Sequence, residues 1–102
     1  MGLRHSIEDG VLRLVGEVDL SNSDELTRLI QTAAMNGHEV EVDLSHVTFI
    51  DSSGLHAIRR AATSGECGPV VLVDVPPRVL RIIEIVGLDR TPSVRLRSRV
   101  DG

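Results

Sequence analysis

Apolar and polar positions along the chain follow two periods in turn, and the switches between them predict the elements. Leu3 to Ile7 alternates weakly and Val11 to Val15 clearly, which predicts two short strands. Between them Glu8-Asp9-Gly10 carries the Asp-Gly pair that favours a tight hairpin, so the two strands should pair antiparallel. Gly16-Glu17-Val18-Asp19 closes the second strand, and Leu20 to Glu25 gathers capping residues and acids at a helix start. Leu26, Leu29, Ile30 and Ala33 then recur at helical spacing, with Gly37 as the expected stop. Glu39 to Leu44 alternates acids with valine or leucine, which predicts a strand with one polar face. Val47 to Ile50 leads as a buried apolar strand end into Asp51-Ser52-Ser53-Gly54-Leu55. From Ser53 onward Leu55, Ile58 and Ala62 mark a second helix ending near Gly65, with Arg59 and Arg60 facing water. The β-branched run Val70 to Val75 predicts a central strand buried on both faces. Pro76-Pro77 ends it, with Pro77 suited to the first turn of a third helix. That helix has the stripe Val79, Ile82, Ile83 and Val86, and Gly87-Leu88 fits a left-handed end with an apolar residue after it. Leu80 and Ile85 lie off the stripe, as a candidate exposed apolar patch for self-association or partner contact. Val94 and Leu96 alternate with Arg95 and Arg97 as a last edge strand before a polar C-terminal tail.

This order implies an α/β fold: a mixed sheet of four to five strands with helices packed on it. The 102 residues allow one domain, 1–102, with its core at about 3–97. Phe49 is the only aromatic residue, so the core must be aliphatic. A formal net charge of -4 and the lack of a stacking platform argue against a nucleic-acid partner. Cys67 is the only cysteine, so an internal disulfide cannot form, and a reducing compartment is the simplest home. With no apolar run of membrane-spanning length and no charged-then-apolar leader, a cytoplasmic location is expected, with no membrane partner. Met1-Gly2-Leu3-Arg4-His5-Ser6 fits the loose myristoylation template, but the residues after Gly2 fall straight into strand pattern and read more simply as a strand lead-in. Oligomeric state is left open.

The residue pattern offers little for catalysis. His5, His38, His46 and His56 have no close ligand spacing to one another or to Cys67, so no metal or other cofactor is expected. Gly-x-Ser-x-Gly and phosphate-cradling glycine loops are absent. Asp51 is not a base poised on Ser52, because sequence neighbours at a strand end point apart. The corner Asp51-Ser52-Ser53-Gly54-Leu55 nevertheless joins a strand to a helix whose first amides lack intrahelical partners. A serine or aspartate there can cap the helix, and the same amides with the helix dipole suit an anion, including a phosphate carried on serine. Local physics leaves cap and switch both open.

Gly16-Glu17-Val18-Asp19, Asp51-Ser52-Ser53-Gly54-Leu55 and Arg81-Ile82-Ile83-Glu84-Ile85-Val86-Gly87-Leu88 together resemble the STAS-domain family, specifically its anti-sigma factor antagonists. The resemblance runs from about Val11 to Leu88. It implies that Ser52, directly after the aspartate, is phosphorylated, with Ser53 as runner-up. The partner it implies is an anti-sigma factor with serine kinase activity, and a phosphatase would reset the phosphoserine. Asp19, Asp51, Ser52, Ser53, Gly54 and Leu55 are the expected partner-binding residues, with Gly54 also serving close packing. His56 stands where many relatives have a small residue, which bears on partner specificity. A second reading within the same family is a structural subunit of a larger signalling or lipid-transport assembly, without a phospho-switch.

Overall fold

A computed structural model describes residues 2–35 and 37–98. Asp9 and Gly10, both with positive φ, make the tight turn that joins β1 (Leu3–Glu8) to β2 (Val11–Val18) as an antiparallel hairpin. A 3-10 turn over Leu20–Asn22 leads into α1 (Ser23–Ala33). There follow β3 (Val40–Ile50), α2 (Ser52–Thr63), β4 (Val70–Val73), α3 (Pro77–Val86), a second 3-10 turn over Leu88–Arg90, and β5 (Val94–Arg97). The strands lie in chain order, β1-β2-β3-β4-β5, with β2 to β5 parallel, so the α/β class and mixed sheet expected from the pattern are present with five strands.

The two halves of the expected third strand are one strand. Arg13 pairs with Asp43 and Val15 with His46; Gly16 pairs with Val47 and Glu17 with Phe49. Each step inserts one extra residue into β3. These two bulges shift the alternation so that Val40, Val42 and Leu44, then Val47, then Ile50, all face the core. They also turn Phe49 outward: the sole aromatic, expected in a buried strand end, is 50% exposed. The core is aliphatic, built on Leu12, Leu14, Leu26, Ile30, Leu55, Ile58, Leu72, Ile83 and Leu88. Ala57 and Ala61 on α2 are buried, and Thr27 of α1 donates to the Ala57 carbonyl at 3.2 Å, so α1 and α2 pack through small residues.

The polar face of β3 is not simply solvated. Asp43 is 6% exposed and accepts from the Ser45 amide at 2.9 Å and the Ser45 hydroxyl at 2.7 Å, with Arg13 at 3.9 Å. Those partners are what let a carboxylate sit under the sheet surface. Glu41 of β3 pairs with Arg97 of β5 across β4, and Val71 and Val73 are buried. β4 is thus buried throughout, as its β-branched run predicts, although it stops at Val73, where Asp74 takes a positive φ.

Three further expectations change. α1 ends at Ala33, and the exposed Met35 turns left-handed two residues before Gly37, which is left-handed as well; the His38 amide closes this turn on the Ala34 carbonyl at 2.8 Å. Arg59 does not face water freely but donates to the Val86 carbonyl at 3.0 Å, tying α2 to the end of α3, while Arg60 is exposed and pairs with Asp24. Leu80 and Ile85 do not form one patch: Ile85 is 75% exposed, whereas Leu80 lines a groove with Val75 and Leu96. Gly87 is the left-handed end of α3 and Leu88 is buried beside it, as the sequence predicts. From residue 99 the polar tail lies outside the described residues, as does Met1 of the acylation template.

Because Phe49 is half in water and Ile50 is fully enclosed, Ile50→Ala should lower the unfolding free energy by about 2–5 kcal/mol and Phe49→Ala by less than about 1 kcal/mol, read from urea denaturation. Equal losses would place the aromatic in the core.

Candidate functional site

Strands β2 and β3 end side by side. Val18 pairs with Ile50, and the Asp51 amide donates to the Val18 carbonyl at 3.2 Å. One residue beyond each strand stands an aspartate that starts a helical segment: Asp19 before the 3-10 turn and α1, Asp51 before α2. The carboxyl ends of parallel strands in an open sheet are where α/β folds place their sites, because the chain must turn there and leaves a concave rim.

The two aspartates use the same local chemistry. Asp51 is extended, and its Oδ1 accepts from the Ser53 amide at 3.0 Å, the Gly54 amide at 3.2 Å and the Ser53 hydroxyl. Asp19 Oδ1 accepts from the Ser21 amide at 2.9 Å and the Ser21 hydroxyl, while Asn22 returns a bond to the Asp19 amide at 3.0 Å, completing a capping box. The Ser21 hydroxyl, with the Ser21 and Asn22 amides, holds the Asp19 carboxyl below its usual value. Asn22 also donates to the Glu17 carbonyl at 3.0 Å, so the Asp19 corner is pinned to β2 on both sides.

The helix start is therefore already occupied by a negative group. Sequence reasoning leaves the first amides of α2 as a place for an incoming anion, but the Asp51 carboxylate takes two of them and Ser53 Oγ takes the same oxygen. Ser53 is half-buried by that bond. Ser52, at the first helical position, is exposed, and its hydroxyl makes no hydrogen bond with any described residue.

The six expected docking residues thus occupy different depths. Ser52 is at the surface; Asp19, Asp51 and Ser53 are half-buried; Gly54 and Leu55 are turned inward. A Cβ on Gly54 would lie 2.7 Å from side-chain carbons of both Ile50 and Val18, so only glycine lets α2 come this close to the strand ends. Leu55 is enclosed in the core. These two residues hold the corner from beneath.

Two apolar side chains near the corner escape pattern reading. Leu20, next to Asp19, is 77% exposed, and Phe49, two residues before Asp51, lines a groove with Thr48, Arg78, Val79 and Ile82. Only the outward phase set by the β3 bulges could have flagged Phe49, and an apolar residue inside a capping turn could have flagged Leu20. Among the described residues no group of three or more His, Cys, Asp or Glu side chains could hold a metal ion, and no helix is long and apolar enough to cross a membrane. Burial and the neighbouring Glu66 push the Cys67 thiol up, away from thiolate chemistry.

A family model described as "Mlab, STAS domain" matches residues 1–98. Among solved structures the chain is similar to a Thermotoga maritima protein assigned as an anti-sigma factor antagonist, at 23% identity over 96% of this chain and 87% of that one, with TM-score 0.70. It is also similar to an anti-sigma factor antagonist from Mycobacterium paratuberculosis, at 26% identity over 92% and 84%, with TM-score 0.65. A third likeness is to the anti-sigma factor antagonist SpoIIAA in its unphosphorylated form, at 19% identity over 98% and 90%, with TM-score 0.66. At their identities the first and third speak for the fold alone.

Removing the α2 cap with Asp51→Ala should cost about 0.5–2 kcal/mol in urea denaturation, and a cost near zero would mean that the carboxylate does not cap the helix. Asp19 gives a pH signature. Its carboxyl is lowered in the fold, so its contribution is complete above the ordinary value of 3.8 and is lost as pH falls below it. In urea titrations at successive pH values, Asp19→Asn should flatten that acid limb; an unchanged limb would contradict the Ser21 contact.

Proposed function

The chain belongs to the STAS-domain family, and on that premise we propose that it is an anti-sigma factor antagonist. Unphosphorylated, it docks through the Asp19–Ser52 corner on an anti-sigma factor that is also a serine kinase, and so frees a sigma factor. Phosphorylation of Ser52 ends the docking, and a phosphatase restores it. The protein works as a binding module in the cytoplasm, with no reaction of its own.

The observation that carries this reading is the division of labour between the two serines. The Ser53 hydroxyl is engaged with Asp51, whereas Ser52 stands exposed on the first turn of α2. A kinase needs an accessible hydroxyl, which favours Ser52 over Ser53 as its target. The exposed Leu20 and Phe49 nearby suit the apolar anchors of a protein interface better than those of a small-molecule site.

Charge explains why the modification acts on the complex. A phosphate brings about -1.5 to -2 charges and three acceptor oxygens. On the free protein it stays in water at the positive end of a helix dipole, worth about 0.3–1 kcal/mol in its favour, and this offsets repulsion from Asp51. Pressed against a partner beside Asp51, the same dianion loses its water with no cation to meet it, at a cost of several kcal/mol. Each ~1.4 kcal/mol is a tenfold change in affinity.

A second reading is a structural subunit of a larger signalling or lipid-transport assembly that never carries a phosphate. The self-satisfied corner supports it, since Asp51 and Ser53 complete the helix start without any added anion. One experiment separates the two.

The protein is incubated with ATP and each candidate anti-sigma kinase of its source organism, then digested and weighed. We expect one added phosphate on the peptide carrying Ser52, absent in Ser52→Ala and retained in Ser53→Ala. If no kinase modifies Ser52, the switch reading fails and the structural one stands. Ser52→Asp should melt within a few degrees of the parent, whereas collapse of the fold would show that charge at Ser52 acts on the domain itself.

A further inference from the structure

If Ser52 carries a phosphate, its usual recipient at a helix start is closed. The Ser53 and Gly54 amides already meet the Asp51 carboxylate at 3.0 and 3.2 Å, and Asp19 places a second acid just beyond the neighbouring strand. A protein partner for the phosphate is then to be sought on the outer face of α2. Ser52 and His56 are both exposed and stand four residues apart on that helix, one turn above each other on the same face. Helical side chains lean toward the N-terminus, which puts the turn that holds Ser52 within reach of an imidazole at position 56. An anion four residues before a cation is also the favourable order along a helix.

The other basic groups of α2 are spent or too far along. Arg59 is bound to the Val86 carbonyl, and Arg60 to Asp24 of α1. From α3, Arg78 lines the groove shared with Phe49 and Ile50 and is a competing cation near the end of β3; Arg81 lies one turn further along α3, beside Ile82. The strand ends bring the acids Asp19 and Asp51 to this corner, and they repel a phosphate.

We propose that His56 is the phosphate-binding side chain of phosphorylated Ser52, holding the dianion over the first turn of α2 through an imidazole N–H. This rests on the phospho-switch reading above and adds a residue to it. An imidazole suits the task because it donates a hydrogen bond in either protonation state.

The test uses the full chain with phosphoserine placed at position 52 by genetic encoding, so that it does not depend on any kinase. The midpoint of the phosphate's second ionisation is followed by 31P NMR in the parent, His56→Ala, His56→Lys and Arg78→Ala. A nearby donor favours the dianion and lowers the midpoint, so His56→Ala should raise it by about 0.2–0.4 pH unit. His56→Lys should restore the low value, and Arg78→Ala should leave it in place. An unchanged midpoint in His56→Ala, or a rise in Arg78→Ala instead, overturns the assignment. Melting temperatures of the unphosphorylated variants should match the parent, because both side chains are exposed. Failure of every kinase to modify Ser52 would remove the switch reading while leaving this titration valid.

Discussion

The hydrogen bond from the Asp51 amide to the Val18 carbonyl fixes where two strands stop, and the rest of the corner follows from it. Because β2 and β3 are parallel, they end on the same edge, and each chain segment must turn there into a helix. Each turn leaves amides without helical partners, and each is closed by an aspartate one residue beyond the strand. Two acids are thereby held side by side on one rim by backbone geometry alone. Gly54 completes the arrangement, since any side chain there would meet Ile50 and Val18 and push α2 off the strand ends.

A rim built this way is stable and also electrically committed. Asp51 and Asp19 already meet amides of their own turns, so further negative charge on the free protein gains the dipole, the solvent and the His56 contact proposed above. In the free protein that is enough. In a packed interface solvent is lost, and the two aspartates become neighbours of like charge. The difference between those environments is the physical content of the proposed switch. The exposed Ser52 and the engaged Ser53 give it an address.

Much of this was legible in the sequence. The Asp-Gly hairpin, the three helical stripes, the β-branched β4 run and the Gly87-Leu88 helix end all act locally, and each appears where its pattern predicts it. What was not legible depends on long-range pairing. The two extra residues in β3 exist only relative to β2, so the strand's change of phase is not readable and Phe49 reads as core. Arg59 looks solvent-facing on α2 because its acceptor, the Val86 carbonyl, belongs to α3. Gly37 is left-handed after α1, but Met35 turns left-handed before it, and no glycine marks that position in the sequence. At the corner, the presence of a cap was readable, but not its occupancy: which of three side chains fills the helix start depends on rotamers. That choice leaves Ser52 free.

The central claim is that charge on Ser52 acts between molecules rather than within one. It is tested most directly by the dissociation constant for the anti-sigma factor proposed as its partner, measured with the Ser52-phosphorylated and unphosphorylated forms by calorimetry in the same buffer. The account predicts that phosphorylation weakens binding by about two orders of magnitude or more. Equal affinities of the two forms would contradict it.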